Sequence, residues 1–439
     1  MLRLIRSTPL PIVLVIVSFI CPTELSLYVA GLRLPPHRIA LLILIPFAVS
    51  RMVASPEIRI RGFDIFFLLY NAWTVAAFVQ HGEGNGGLVF GGSLALESFG
   101  AYIVARAWIR SAETFVTSLQ FLALTIFVSG LLALPETLLG KHFTHDLLQS
   151  LTGYDHPRKI ETRMRLTRAY GTFDHPIHLG TFAATAFAMI WFTTRPKIKR
   201  WQRAVMIGVV TLSALSSAPI LCLFSQIGLI VWERVTRGME HRVITTVVGG
   251  TSVLLVISLL SDRSPFAWIA TGMTIDSWTG YYRLLIWEHG LLNVWAHPWL
   301  GLGLGEWERP WWMASASVDA FWLLIAMRTG VPSFLLLAIA IALLLAGVAR
   351  RGARNKDAMI RNTTKAWVIS LIALVLVGCT VHYWNALHAY FFFFLGLAGW
   401  VADPKRRRAK STKRLAPRAA PEPPMPVQYP LPGAPLPAH

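Results

Sequence analysis

Residues 281–307 read YYRLLIWEHGLLNVWAHPWLGLGLGEW. The segment sets an arginine, a glutamate and two histidines among tryptophans and glycines, in a chain that is otherwise a succession of apolar runs. It is too polar to cross a bilayer and too aromatic for an ordinary solvated loop. Taken as a helix over 283–295, with successive residues about 100° apart, it places Leu284, Trp287, Leu291, Leu292, Val294 and Trp295 on one broad arc. Arg283, His289, Gly290 and Asn293 fall on the other. That division predicts an amphipathic helix at a membrane interface, its tryptophans at headgroup depth. Glu288 projects within the apolar arc. There it either reaches water, pairs with an arginine, or is held against the bundle as an acid or base.

The setting of the segment follows from composition. Of 439 residues, 54% are hydrophobic and only 14% charged, against about 25% charged in a soluble domain. A polytopic membrane protein is expected. The net charge of +19 does not point to nucleic acid, because the basic residues lie in short clusters between apolar runs and in the tail. A nucleic-acid binder concentrates them on one face. Cys21, Cys222 and Cys379 lie inside apolar runs without metal-type spacing and read as inert small hydrophobes. The start, MLRLIRSTPLPIVLVIVSFICPTELSLYVAG, has no A-x-A site and reads as a first span rather than a cleaved leader.

A hydrocarbon core takes roughly 20 apolar residues per helix. Spans are expected near 9–30, 37–53, 63–80, 87–108, 113–134, 177–193, 204–217, 219–233, 243–262, 318–347, 366–384 and 386–402. The predicted fold class is all-α, a bundle of about twelve transmembrane helices. Lys and Arg clusters within 3–6, 51–61, 106–110, 195–203, 234–242 and 350–365 all fall on one side if both termini are cytoplasmic. The first five spans then fill 1–134, and an outer loop follows at 135–176. Spans six to nine fill 177–262, a larger outer loop fills 263–317, and the last three spans fill 318–402. The rest, 403–439, is a cytoplasmic tail whose KRRRAKSTKR suits anionic lipid and whose prolines preclude a core.

Both outer loops carry arginine next to a span. Arg165 and Arg168 precede the sixth, and Arg283 lies in the opening segment. A guanidinium fork binds phosphate bidentately, so the three together suit a lipid-linked pyrophosphate. Attraction to phospholipid headgroups is the alternative for any one of them. His175, His178, His289 and His297 have no recognised zinc spacing, and no metal is expected. Gly301, Gly303 and Gly305 could form an amide nest for phosphate. Without a strand–turn–helix context, a re-entry turn is the plainer expectation.

The order of these motifs resembles the O-antigen ligase and polysaccharide polymerase superfamily, bacterial membrane glycosyltransferases that use lipid-linked glycans. The family pattern R-x-x-x-W, then a short helix, then h-P-x-x-G-x-G, is met by Arg283, Trp287 and the stretch from His297 through Gly301 and Gly303 to Trp307. R-x-x-G-x-F-x-x-P-x-x-x-G is met by Arg168, Gly171, Phe173, Pro176 and Gly180, and LESFGAYIVAR at 96–106 is similar to the family's fourth span. The resemblance implies an inner-membrane enzyme with two long periplasmic loops, a glycan donor on undecaprenyl pyrophosphate, a glycan or lipid acceptor, and no metal or nucleotide cofactor. Arg168 and Arg283, with Arg165 beside them, would bind the pyrophosphate. Val318-Asp319 stands where the family has His-Asn, and Ser216-Ser217 where it has a serine–arginine pair. Glu288 and Asp319 then become the candidate bases. The implied activity is polymerisation of repeat units into O-antigen or exopolysaccharide. Ligation of finished glycan to a lipid or protein, or flipping of the lipid-linked unit, are the alternatives. Implied partners are membrane lipids and other polysaccharide-assembly proteins.

Overall fold

The computed structural model describes residues 2–82, 86–154, 160–241, 277–313 and 315–403, with scattered positions between 245 and 255. Most of the span expected at 243–262, together with Arg263 and the tail beyond Asp403, lies outside the described residues. The chain is predominantly helical. Among the described residues nine helices are long and apolar enough to cross a bilayer, the architecture of a multi-pass membrane protein.

Two short helices come first, α1 (Leu2–Ser7) and α2 (Leu10–Ile20). α2 has 11 residues, well short of the span expected over 9–30. Pro22 disfavours helical geometry at Cys21, which is extended, and the chain turns through Thr23–Leu25 into an antiparallel hairpin of β1 (Leu27–Val29) and β2 (Leu32–Leu34). Then follow α3 (Pro36–Ala54), α4 (Gly62–His81) and α5 (Gly86–Ala95), which runs through a π turn at Leu96–Gly100 into α6 (Ala101–Trp108). α7 (Ala112–Leu139) and the short α8 (Phe143–Thr152) lead to a second hairpin, β3 (Thr162–Arg163) with β4 (Leu166–Thr167).

α9 (Pro176–Thr193), α10 (Lys197–Ser213) and α11 (Ser217–Val235) come next. The break between α10 and α11 falls at 214–216, where Leu215 takes a left-handed φ of 44°. Pro219 is not the breaker. It sits in the first turn of α11, where a missing N–H has no intrahelical partner to lose. The last helices are α12 (Ser277–Ala296), α13 (Phe321–Ala353), α14 (Ala358–Val377), α15 (Asn385–Gly396) and α16 (Gly399–Ala402). α14 starts and ends earlier than the span expected at 366–384, because Asp357 caps its first turn through Met359 N–H at 2.8 Å.

The centre belongs to α9 and α15. Phe391, Phe392, Phe393 and Phe394 are all buried, so α15 is apolar around its circumference, as a central helix must be. One end of the bundle is tied by Arg106, buried in α6. Its guanidinium grips Asp403 at 2.8 and 2.9 Å and reaches Asp64 of α4 at 3.3 Å, while Arg110 adds 2.7 Å to Asp403. The candidate site lies at the opposite end.

Candidate functional site

The β3–β4 hairpin decides which loop arginines face the protein. Thr162 pairs with Thr167 and Arg163 with Leu166, leaving Met164 and Arg165 as a two-residue turn with φ of 52° and 64°. Two left-handed residues are the geometry that matches strand twist. Arg165 therefore sits exposed at the tip, away from the other arginines. Arg163 and Arg168 turn inward onto the α10–α11 break. Arg163 donates to Leu215 O at 3.3 Å and Arg168 Nε to Ala214 O at 3.4 Å, while the Ala169 N–H takes Ser213 O at 3.0 Å. Three carbonyls at the end of α10 are satisfied by this hairpin and the two residues after it, two of them by cations, which a helix C-terminus favours. Arg168 is only 4% exposed and is also paired with Glu161.

Arg283 differs. It is 7% exposed, and its Nε has no hydrogen-bond partner among the described residues. Burial pulls its pKa below the ordinary value, Asp319 opposes that shift, and Arg163 adds to it. Asp319, on the approach to α13, and Arg163, in the hairpin, are thus the charges that act on Arg283. Asp319 is half-buried and accepts from Ser317 Oγ at 3.3 Å. Glu288 is exposed, about 140° around α12 from Arg283.

α12 docks mainly through the arc of Arg283, Gly290 and Asn293. Arg283, Ile286, Gly290, Asn293 and Val294 are buried, whereas Leu291, Leu292 and Trp295 are exposed. Two contacts explain this. Gly290 lets α12 approach α13 so closely that a Cβ there would meet Leu323 at 2.7 Å. The Asn293 carboxamide pairs with the Glu308 backbone, accepting from its N–H and donating to its carbonyl, both at 2.8 Å. The polar arc is a seam to the protein with Val294 buried beside it, and Leu291, Leu292 and Trp295 of the apolar arc are left outward. Trp287 bridges the two, its Nε1 donating to Cys379 O at 2.9 Å.

The glycines after His297 are a clasp. α13 is broken at Gly330, whose φ of 83° and ψ of 166° free the carbonyls before it. Leu302 N–H takes Met327 O at 2.8 Å, Gly303 N–H takes Arg328 O at 3.0 Å, and Trp73 Nε1 takes Thr329 O at 3.0 Å. In return Val331 N–H donates to Pro298 O at 2.8 Å. Gly301 and Gly303 have φ of 68° and 56°, and a side chain on Gly301 would strike the Met327–Thr329 backbone. The amides of Leu302 and Gly303 are thus spent on helix carbonyls and do not form a phosphate nest. The His297 side chain is exposed. Its backbone continues the turn, with its carbonyl taking Gly301 N–H at 3.1 Å.

Three histidines gather around Trp384. His175 caps α9, its Nδ1 accepting from Ile177 N–H at 3.1 Å. The neutral ring therefore carries its proton on Nε2. Burial lowers its pKa to about 4, with Arg168 contributing. Its ring lies 5.5 Å from Trp384, which in turn lies 3.9 Å from His178 and 5.6 Å from His382. Burial lowers His382 to about 3, with His388 and Arg328 adding to the effect. His175, His178 and His382 thus surround one indole ring, with the charge of Arg168 acting on His175 and that of Arg328 on His382. Among the described residues no three His, Cys, Asp or Glu side chains converge as a metal site.

Sequence reasoning singled out Arg168 and Arg283 but passed over Arg163, His382 and Trp384. Arg163 differs from Arg165 by one position each side of a turn tip, a distinction that only strand register makes. HYWN at 382–385, polar residues between two apolar runs, was the available signal for the second pair. No family model and no curated protein matches the chain.

Proposed function

We propose that the chain is an inner-membrane glycosyltransferase that polymerises undecaprenyl-pyrophosphate-linked repeat units at the periplasmic face. The observation that carries this reading is Arg283, a buried guanidinium whose Nε has no hydrogen-bond partner among the described residues and on which the charges of Arg163 and Asp319 act. A buried charge of this kind is costly unless something complements it, and a pyrophosphate would. In the proposed step an acceptor hydroxyl gives its proton to the Asp319 carboxylate, and its oxygen attacks the anomeric carbon. The bond to the pyrophosphate oxygen breaks on the opposite side, inverting that carbon. The electron pair leaves with the pyrophosphate, whose growing charge Arg283 and Arg163 stabilise. Arg168, already bound to Glu161 and Ala214, holds the α10–α11 turn against which Arg163 rests. Glu288 faces away and takes no part.

Ligation to a lipid or protein acceptor uses the same donor chemistry and differs only in the acceptor. A transport reading is favoured by one observation. Glu97 in the π turn is 1% exposed within the apolar bundle, bonded to His37 Nε2 at 3.1 Å and Arg38 Nε at 2.7 Å. Buried ionisable residues and π turns are both common at functional sites in membrane helices.

The test is purified protein in detergent with polyprenyl-pyrophosphate-linked repeat units, wild type against Arg283→Ala. Chain growth or transfer by wild type alone supports the reading. Equal activity in both keeps the enzyme class and removes Arg283 from it. No product from either, with acceptors supplied, favours transport.

A further inference from the structure

A second site opens at the β1–β2 hairpin. The hairpin of β1 and β2 stands against the C-terminal end of α8, and between them lies a groove of about 500 Å³, within the ~300–1,000 Å³ of small-ligand sites. Its lining mixes aromatic faces and leucines with hydroxyls: Leu25, Ser26, Leu27, Tyr28, Thr152 and Tyr154. We propose that this groove binds the sugar residues of the acceptor glycan, with Tyr28 and Tyr154 as the ring platforms and the Ser26 and Thr152 hydroxyls as the polar partners. That assignment as acceptor subsite rests on the glycosyltransferase reading, whereas sugar binding itself does not.

The chemistry favours a pyranose ring over other ligands. A sugar presents one face of C–H bonds and a rim of hydroxyls, so it needs an aromatic surface and fixed acceptors together. Both are built here. Tyr28 is 63% exposed, and it stands across from Arg33 in the hairpin register. Arg33 lies 4.7 Å over the Tyr154 ring and is fixed by Ser26 Oγ at 3.2 Å, so the Tyr154 platform is held before any ligand arrives. Glu24 is buried behind the groove and bonded to His145 Nδ1 at 2.8 Å, while the Ser26 and Thr152 hydroxyls line it and can accept or donate. The charges of Arg33, Asp174 and Glu24 all act on the Tyr154 hydroxyl. Two carboxylates in this surround disfavour a phosphate headgroup, which belongs instead among the arginines.

The groove is also tied to the candidate site. Thr23, one residue before Glu24, donates to Asp174, whose other oxygen accepts from Asn385 Nδ2 at 2.9 Å. Asp174 precedes His175, which lies under the influence of Arg168. The groove and the candidate site thus share the Asp174–His175 stretch.

The experiment uses full-length protein in lipid nanodiscs and free, lipid-less oligosaccharides of hexoses and hexuronates, with binding read by saturation-transfer NMR. The variants are Tyr28→Ala/Tyr154→Ala, Tyr154→Phe and Arg283→Ala. At least one oligosaccharide should show transfer with wild type, Tyr154→Phe and Arg283→Ala, and at least tenfold weaker transfer with the double alanine variant. In the transferase assay the double variant should raise the acceptor KM about tenfold and leave the donor KM unchanged. Binding by the double variant equal to wild type, or no binding by any oligosaccharide to wild type, overturns the proposal. If wild type binds sugar through these tyrosines yet transfers none, the enzyme reading falls and the groove stands. If wild type transfers while the double variant keeps its acceptor KM, the groove falls and the enzyme reading stands.

Discussion

Gly330 packs against the carbonyl of Trp299 so closely that any side chain on Gly330 would overlap it. The broken helix α13 and the glycine loop after His297 are therefore one unit, joined backbone to backbone. Gly330→Ala should cost about 2–5 kcal/mol, combining a conformation that only glycine adopts readily with overpacking. A thermal melt in detergent checks it. A shift in midpoint no larger than that of a surface variant such as Arg165→Ala would mean the clasp is not structural.

Arg283 and Asp319 should act as a unit. Arg283→Ala is expected to lower turnover about 10²–10³-fold, the scale for losing one charge-stabilising donor. Arg283→Lys should recover little, because an ammonium cannot reproduce the fork. Asp319→Asn in the Arg283→Ala background should add far less than it does alone. Strictly additive losses would show that the two do not share a step.

The carboxylates of α12 and its neighbour loop separate cleanly. Glu288→Gln should leave turnover within about twofold of wild type, as expected of an exposed residue away from special features, while Asp319→Asn abolishes most of it. The opposite ranking in the same assay would move the base to Glu288 and require α12 to rotate.

Stability should fall as the solution is acidified. His175 and His382 are held neutral in the fold at about 4 and about 3, below the roughly 6.5 of an unfolded histidine. Between those values the unfolded chain binds more protons than the folded one, so stability rises with pH through that window and levels above it. Melts across pH 4–7 read the slope, and His175→Gln should flatten part of it. An unchanged slope in that variant would locate the pH dependence elsewhere.

At the far end, Arg106→Ala leaves Asp64 and Asp403 buried without their shared partner. Removing one member of such a buried set costs about 3–5 kcal/mol. The melting temperature should drop accordingly, and Arg110→Ala, at the rim of the same network, should cost much less.

The alternation of apolar runs with basic clusters made the multi-pass helical architecture legible without coordinates. Apolar length is a local property, and a bilayer reads it locally. Boundaries were less legible. Pro22 cut α2 short, and the α10–α11 break fell at Leu215 rather than at Pro219, because a proline in a first turn breaks nothing. The facing of α12 was legible only as two arcs. Helical period tells which residues share a face and not which face docks; Gly290 and Asn293 settled that through α13 and Glu308.

What the sequence alone determined is the class of element and its periodicity, and with them that Arg168 and Arg283 lie outside the apolar runs. Tertiary structure decided which groups meet. Arg163 entered the cluster and Arg165 left it by strand register. Arg283 came under the charge of Asp319, and His175 met Trp384, across separations of tens to hundreds of residues. Such contacts depend on how helices thread past one another, and no local pattern of hydrophobicity or charge encodes that.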